Sequence, residues 1–342
     1  MGSEDWGGFE VFTTCPPSNG IAPGEYLRRV KQVARWSDAE GCSGILVYTD
    51  NRLFDPWLIS DAILNSTKEL MPLVAVQPVY FHPFAVAKMV TTFANMYGRR
   101  ICLNMVAGGF RNDLTALNDR LEHDDRYERL VEFTEIAMRL VEGATVSYAG
   151  IYYSVTDLSL NPPVPLELRP PVFISGSSAA GLSAASRLGA TAVKYPRRTN
   201  EEERRANDGP RSGIRVGIIA RSTSNEAWDV ANRRFPVDRK GQIAHALAMI
   251  VSDSRWHQGL SELASGEDRR PHPYWLRPFK NYKTFCPYLV GGYDEVAEEL
   301  ARYFRLGFET LILDVPASRE DLSHTRVALA RTVELGRSDL RG

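Results

Sequence analysis

The chain has 342 residues, enough for one large barrel or two domains, and its 44% hydrophobic and 24% charged residues are typical of a globular protein. Its formal net charge of -1 provides no basic excess for binding nucleic acid or a membrane surface. No apolar run reaches the roughly 18 residues of a membrane helix. The first residues lack a basic segment followed by an apolar one, so the sequence predicts a cytoplasmic protein without a secretory signal.

Strands and helices alternate along the first hundred residues. The apolar patterns predict strands at 9–14, 45–48, 73–77 and 101–106, and helices at 24–40, 57–64 and 84–97. Nearly continuous apolar strands between helices indicate a parallel sheet that is covered on both faces.

The alternation continues after a polar loop at 107–123, an amphipathic helix carrying Leu130 to Val141, and a Pro-rich stretch at 145–171 that we interpret as a small hairpin. Further strands are predicted at 171–175, 190–194, 214–221 and 310–313, and helices at 179–188, 201–206, 225–234, 296–304 and 319–332. Residues 236–288 lack periodicity, so we expect an insertion that acts as a lid.

The count of eight strands selects the fold class. It predicts an α/β fold, a (β/α)8 TIM barrel with insertions, as a single domain over residues 1–342. The catalytic face of such a barrel lies at the carboxyl ends of its strands.

The turn at Ser175, Gly176, Ser177 and Ser178 joins an apolar strand to an Ala-rich helix. Backbone N–H groups at the start of a helix, together with two hydroxyls, are suited to holding a phosphate. The alternative is an ordinary helix cap, because serine is among the best N-cap residues.

Other polar residues stand where such a barrel places its active site. Asn104 ends the fourth strand, where its amide suits either a flat heterocycle or the loop backbone. His123 and Tyr127, four residues apart, point the same way if their helix begins that early. Arg215 lies inside an apolar strand, so it needs an anionic ligand or a nearby acid such as Asp314.

The four cysteines, Cys15, Cys42, Cys102 and Cys286, are isolated from each other and from any histidine cluster. This spacing indicates free thiols in a reducing compartment and no metal site.

Several ordered motifs together carry a resemblance that each alone would not. They are Glu40-Gly-Cys-Ser-Gly-Ile-Leu, Asp55-Pro-Trp-Leu, Asn104-Met-Val-Ala-Gly, His123-Asp-Asp-Arg-Tyr127, Val131-Glu-Phe-Thr, Gly176-Ser-Ser, Gly213-Ile-Arg215, Asn225-Glu-Ala-Trp228 and Leu289-Val-Gly291. With them the chain resembles the bacterial-luciferase-like flavin monooxygenases, most closely the reduced-FMN-dependent alkanesulfonate monooxygenase branch.

The resemblance implies a cofactor site for FMN. Its phosphate-binding positions correspond here to Tyr127, Gly176, Ser177 and Ser178, with His123 close by and Asn104 beside the isoalloxazine. The family's third strand has a bulge with a cis peptide under the flavin, which places Ala75 in the site and the cis bond within 74–76.

The substrate end departs from the sulfonate branch. The branch's polar positions are occupied here by Cys15, Leu53, Tyr195, Gly217 and Val315, and its strand-seven arginine remains as Arg215. A sulfonate needs several donors or cations, so a more apolar or bulkier substrate, such as a secondary metabolite, is favoured. The candidate catalytic residues are Arg215, Tyr195 and Cys15.

The resemblance therefore predicts a two-component monooxygenase. Its partners would be a flavin reductase, O2 and a small-molecule substrate, and the assembly would be a homodimer or homotetramer, with no nucleic acid and no membrane. The alternatives are a deazaflavin-dependent oxidoreductase on the same barrel and a non-catalytic flavin-binding paralogue.

Overall fold

The computed structural model describes residues 6–22, 24–203, 209–250 and 272–338, which divide into two compact units. Unit 1 comprises Met1–Thr14, Arg35–Ser43 and Lys194–Gly342, and unit 2 comprises Cys15–Ala34 and Gly44–Val193. The strands are β1 (Glu10–Thr14), β2 (Gly44–Val47), β3 (Met71–Val76), β4 (Cys102–Met105), β5 (Val146–Ala149), β6 (Ser154–Leu158), β7 (Val172–Ser175), β8 (Thr191–Lys194), β9 (Ser212–Arg221), β10 (Tyr274–Trp275), β11 (Tyr288–Gly292) and β12 (Thr310–Leu313).

Helices follow most of these strands along the chain. Within the described residues they span Glu25–Ala39, Pro56–Leu64, Pro83–Tyr97, Arg111–Ala116, His123–Val141, Ala179–Arg187, Ser224–Arg234, Arg239–Ile250, Arg277–Lys280, Tyr293–Arg305 and Arg319–Ser338. None of these helices combines the length and apolar character needed to cross a bilayer.

Unit 2 is built on a run of parallel strands in the order β2, β3, β4, β7, β8. The pairing has no register shift between β3 and β4, where Ala75 stands opposite Asn104. Its core includes the fully buried Phe133, Leu130 and Leu140 on one face of His123–Val141. Each such side chain contributes about 1.5 to 3 kcal/mol by leaving water.

Unit 1 is organised by its longest strand, β9. The first half of β9 pairs with β12 and its second half with β11, both in parallel. β1 pairs with the other edge of β12, and β10 adds an antiparallel pair to β11. The fold as a whole is α/β, a closed barrel of eight parallel strands (β1 to β4, β7 to β9 and β12), which confirms the predicted (β/α)8 TIM barrel.

Three local features differ from the sequence predictions. The polar loop at 107–123 contains the helix Arg111–Ala116, and the insertion at 236–288 contributes β10 and the first residue of β11. The predicted helix at 201–206 is absent at 201–203, and its remaining residues lie outside the described ones. The hairpin in the Pro-rich stretch is confirmed as β5 and β6.

The lid prediction concerns residues that are only partly described. Residues 251–271, the middle of the 236–288 segment, lie outside the described residues. The role of the segment as a lid therefore remains a prediction. Its described helices are Arg239–Ile250 and Arg277–Lys280.

An ion triad in unit 1 generates a stability prediction. Asp321 binds Arg221 at 2.5 Å and also pairs with Arg234, and both Asp321 and Arg221 are buried. Removing the shared carboxylate leaves a buried cation uncompensated, so Asp321→Asn is expected to lower the free energy of unfolding by about 3 to 5 kcal/mol. Chemical denaturation measures this loss.

The matched control for this prediction is an exposed ion pair of the same unit. Glu309 and Arg211 lie 3.3 Å apart with more than half of each side chain exposed. Glu309→Gln is expected to change stability by less than about 1 kcal/mol. Equal losses in the two variants would contradict the structural role assigned to Asp321.

Candidate active site

The turn after β7 contains Gly176, and the Tyr127 side chain leaves no space for a side chain at this position. Gly176 has a φ of 154°, and its N–H donates to the Val193 carbonyl at 3.0 Å. A Cβ at Gly176 would overlap the Tyr127 hydroxyl, and a Cβ at Gly181 would lie 3.2 Å from the same oxygen. The turn therefore packs directly against Tyr127, and the absence of a side chain at Gly176 makes this contact possible.

Ser178 caps the helix Ala179–Arg187, with its Oγ accepting from the Gly181 N–H at 3.2 Å. This confirms the capping interpretation for Ser178. Ser177 is half-buried in the same turn, and its hydroxyl has no hydrogen bond to the described residues. The N-terminal end of the helix and this hydroxyl remain suited to an anion.

Tyr127 connects the turn to the helix His123–Val141. Its hydroxyl donates to the Ser175 carbonyl at 3.4 Å, and burial raises the pKa of this hydroxyl above its ordinary value. The His123 ring lies 5.2 Å from the Tyr127 ring, which confirms that the two side chains share a face. The second partner of His123 is Asp124, at 2.6 Å.

Asn104 and Ala75 lie on adjacent strands at the same level of the sheet. The Ser175 hydroxyl donates to Asn104 Oδ1 at 2.8 Å, so Asn104 is linked to a serine side chain of the turn after β7. Both Asn104 and Ala75 are buried. The cis peptide expected within 74–76 is wrong: in the described part of the chain the recorded cis bond is Asn161–Pro162, because regular pairing with both neighbouring strands keeps β3 extended.

The residues predicted to bind a cofactor are thus assembled within unit 2. Neutral hydroxyl donors line the turn, and the space beside Gly176 is filled by the Tyr127 hydroxyl. This arrangement fits the phosphate of FMN. Within the described residues, no group of three or more His, Cys, Asp or Glu side chains could hold a metal ion.

Two of the three catalytic candidates lie together in unit 1. Arg215 Nη1 donates to the Tyr195 hydroxyl at 3.3 Å, and its guanidinium carbon lies 5.8 Å from the Tyr195 ring centre. Tyr195 is 6% exposed, so the contact is largely shielded from water. A shielded guanidinium next to a phenol is suited to stabilising negative charge.

A further polar pair was missed by the sequence predictions. Tyr288 of β11 lies opposite Gly217 of β9, and its hydroxyl donates to Asp314 Oδ2 at 2.7 Å. A Cβ at Gly217 would overlap the Tyr288 ring. The sequence signal for this pair was the missing side chain at Gly217, two residues beyond Arg215.

Cys15, the third catalytic candidate, lies in unit 2 in an apolar setting. It is buried, and this burial raises the pKa of its thiol to about 12, so the thiol is neutral at physiological pH. It shares a small cavity with Leu53; the cavity is lined by Cys15, Pro16, Pro17, Ser18, Tyr26, Val47, Tyr48, Leu53, Phe54 and Ile59. A buried, neutral thiol is not poised for nucleophilic attack.

The fold is a TIM barrel, and the chain belongs to the luciferase-like monooxygenase family, whose model matches residues 8–310. It is 32% identical over 307 residues to the 4-(gamma-L-glutamylamino)butanoyl-[BtrI acyl-carrier protein] monooxygenase BtrO of Niallia circulans, covering 88% of this chain and 90% of BtrO.

Two solved structures share the fold at low sequence identity. EDTA monooxygenase EmoA of Chelativorans sp. BNC1 matches with a TM-score of 0.70 and 16% identity, over 97% of this chain and 94% of EmoA. The coenzyme F420-dependent tetrahydromethanopterin reductase of Methanopyrus kandleri matches with a TM-score of 0.66 and 12% identity, over 96% of this chain and 99% of the reductase.

The contact of Gly176 with Tyr127 predicts a specific stability pattern. Gly176→Ala is expected to destabilise the protein by about 1 to 3 kcal/mol beyond its backbone strain, because the new methyl group displaces the Tyr127 hydroxyl. Adding Tyr127→Phe should recover part of that loss. Chemical unfolding of the single and double variants measures the coupling.

Gly189→Ala provides the control for backbone strain alone. Gly189 has a φ of 60° and no atom within 4 Å of an added Cβ, so we expect a loss of about 1 to 2 kcal/mol that Tyr127→Phe does not relieve. If Tyr127→Phe fails to relieve Gly176→Ala, the hydroxyl does not limit the turn.

Proposed function

We propose that this chain is a two-component monooxygenase that receives reduced FMN from a separate flavin reductase and uses O2 on an organic substrate. The observation that carries the proposal is the glycine-lined turn at Gly176, closed on one side by Tyr127. Such a turn accommodates a terminal phosphate, and the sequence has no GxGxxG fingerprint for a dinucleotide. A chain without a nicotinamide site requires another protein to reduce its flavin.

When bound, reduced FMN supplies the electrons with which O2 is activated. The chain's own residues would bind and orient the cofactor: Ser177 and Tyr127 would donate to the phosphate, and Asn104 would offer its amide to the flavin ring. In unit 1, Arg215 stabilises negative charge and is oriented by Tyr195. Burial of Tyr127, Asn104 and Tyr195 strengthens the electrostatic effect of these groups, since water screens them little.

The substrate proposal rests on the relative BtrO and on the loss of polar side chains beside the small cavity at Cys15 and Leu53, whose volume of about 10 Å³ holds no more than a water molecule. Two of the cavity's lining positions are polar in the alkanesulfonate branch. In this chain they are Cys15, whose thiol is neutral, and Leu53. BtrO acts on an acyl group attached to a carrier protein. We therefore propose that the substrate is an acyl group of a secondary metabolite, delivered on a carrier protein. We also propose that the enzyme is a homodimer or homotetramer.

The second candidate is a deazaflavin-dependent oxidoreductase. A coenzyme F420-dependent reductase shares this fold, so the barrel alone does not separate the two cofactors. Anaerobic titration of the chain with oxidised FMN, reduced FMN and reduced F420 distinguishes them. We expect reduced FMN to bind most tightly; tighter binding of F420 would favour the second candidate.

The two-component proposal predicts how the chain responds to NADH. The isolated chain with FMN should not oxidise NADH, because its fold lacks a dinucleotide fingerprint, and adding a flavin reductase should start O2 consumption. NADH absorbance and an oxygen electrode follow the two reactions. Robust NADH oxidation by the chain alone would refute a separate reductase.

The phosphate assignment predicts a loss of flavin affinity in two variants. Ser177→Ala and Tyr127→Phe each remove a hydroxyl donor to a charged group, so each should weaken reduced FMN binding by about 1.5 to 3 kcal/mol. Ser183→Ala is the matched control, since Ser183 is exposed on the same helix. Parental affinity in both test variants would mean that this turn is a helix cap only.

A further inference from the structure

The first turn of the helix Arg239–Ile250 is fixed to one buried asparagine of unit 1. Asn281 Nδ2 donates to the Pro236 carbonyl at 2.7 Å, and Asn281 Oδ1 accepts from Gln242 Nε2 at 3.2 Å. A Cβ at Gly241 would overlap the Asn281 carbonyl oxygen, so the helix packs directly on this residue. The start of the helix and the segment around Asn281 therefore form one continuous surface.

This junction carries a concentration of positive charge. Residues 233–250 and 272–283 include seven Lys or Arg and a single acid, Asp238, although the whole chain has a formal net charge of -1. Four of the cations flank the junction, two at the start of the helix and two on either side of Asn281. We call them the basic surface: Arg239, Lys240, Lys280 and Lys283.

Most of the charge of the basic surface has no acidic partner. Lys283 binds Asp238 at 2.9 Å, but Arg239, Lys240 and Lys280 form no ion pair in the part of the chain that the structure describes. Arg239 and Lys240 also occupy the first turn of a helix, where the macrodipole disfavours cations, and that turn contains no acid. Helix stability therefore does not explain these two cations, and both are exposed.

An exposed apolar strip continues from the basic surface along the same helix. Ile243 and Leu247 are 63% and 62% exposed and follow Arg239 at intervals of four residues, so the three lie on one side. The opposite side carries the buried His245, whose ring centre lies 4.6 Å from that of Phe279. The helix thus packs one side within unit 1 and leaves cations and aliphatic side chains exposed on the other.

The basic surface lies close to the strand that carries Arg215. Phe235, four residues before the helix, has its ring centre 5.1 Å from that of Tyr288. Tyr288 in turn covers Gly217, two residues beyond Arg215 on β9. A partner bound at the basic surface would therefore stand beside the part of unit 1 that contains two of the catalytic candidates.

We propose that the basic surface and the strip of Ile243 and Leu247 dock the carrier protein that delivers the acyl substrate. This inference deepens the proposed function and rests on its carrier-bound substrate. The surface fits a partner that presents carboxylates around an apolar patch. Opposite charges orient the encounter of two proteins, and apolar contact at the centre of an interface excludes water.

An anionic membrane is the other partner that a helix with basic and apolar residues could meet. Helices that lie on a membrane present a broad apolar face along their length. Among residues 239–247, the exposed large apolar side chains are Ile243 and Leu247. Two aliphatic side chains form too narrow a face for a membrane, so the structure favours a protein partner.

The test measures binding of a loaded carrier protein to the full chain by calorimetry. The probe is the BtrI acyl-carrier protein carrying 4-(gamma-L-glutamylamino)butanoyl, the substrate named for BtrO. The titration is done without reduced flavin, so that the acyl group stays intact, in about 0.1 M salt, where charges are screened beyond about 10 Å. The parent chain is expected to bind the loaded carrier.

The test variant is Arg239→Glu combined with Lys240→Glu. Carrier affinity should fall at least about tenfold, because like charges then face the carboxylates of the carrier. Acids in the first turn agree with the macrodipole, so the helix should remain folded. Ile243→Ser should also weaken binding, by removing apolar contact without changing the charge.

The matched control is Arg35→Glu combined with Lys88→Glu. Both residues are exposed, lie outside the basic surface and form no ion pair with any described residue. The control changes the net charge by the same amount as the test variant. Its carrier affinity should therefore stay within about twofold of the parental value if only local charge matters. Melting temperatures establish that all variants are folded.

The outcomes separate this inference from the proposed function. Absence of binding between the parent and the loaded carrier, parental affinity in Arg239→Glu with Lys240→Glu, or equal losses in test and control would each overturn the docking surface. Binding of the parent to phosphatidylglycerol vesicles but not to the carrier would assign the surface to a membrane instead. Reduced FMN binding, titrated on the same samples, should be parental in every variant and reports on the proposed function alone.

Discussion

Burial of the barrel strands on both faces is the constraint on which the rest of the structure depends. β2 and β12 are buried along their whole length, so they consist of apolar residues and glycine apart from one threonine. A polar side chain within such a strand costs free energy unless a partner accompanies it. The polar groups of the candidate site accordingly lie near the carboxyl ends of strands, as with Asn104, Ser175 and Tyr195.

A tyrosine packed over a glycine recurs at the two polar sites. Tyr127 covers Gly176 in unit 2, and Tyr288 covers Gly217 in unit 1. In each case the hydroxyl reaches an oxygen of another element, the Ser175 carbonyl in one and the Asp314 carboxylate in the other. The glycines therefore make room for donors that come from elsewhere in the sequence.

The apolar periodicity predicted the barrel because strand burial and helix amphipathicity are local properties of the sequence. Pairings between polar side chains were harder to predict from the sequence. Glu202, in the segment where the sequence predicts a helix at 201–206, has a side chain that is 1% exposed and bound to Lys194 at 2.5 Å. Charge in a sequence does not show whether a partner lies nearby in space, and Tyr288 and Asp314 are likewise joined only by the fold.

The site residues divide in the same way. The turn at Gly176 and the pair His123 and Tyr127 could be predicted because their elements are short-range patterns of small and apolar residues. The cis bond near Ala75 was inferred from the family, and regular pairing of β3 overrides it. The neutral state of Cys15 depends on burial by residues distant in sequence, which no local pattern reveals.

Tyr288 belongs to β11, a strand additional to the barrel's eight. Its neighbours Gly217 and Asp314 lie in or next to barrel strands, whose positions the fold dictates. Replacing the segment that contains Tyr288 would therefore change the phenol without altering any barrel strand. A change in this segment can therefore alter the hydrogen-bond partner of Asp314 independently of the turn at Gly176, which belongs to unit 2.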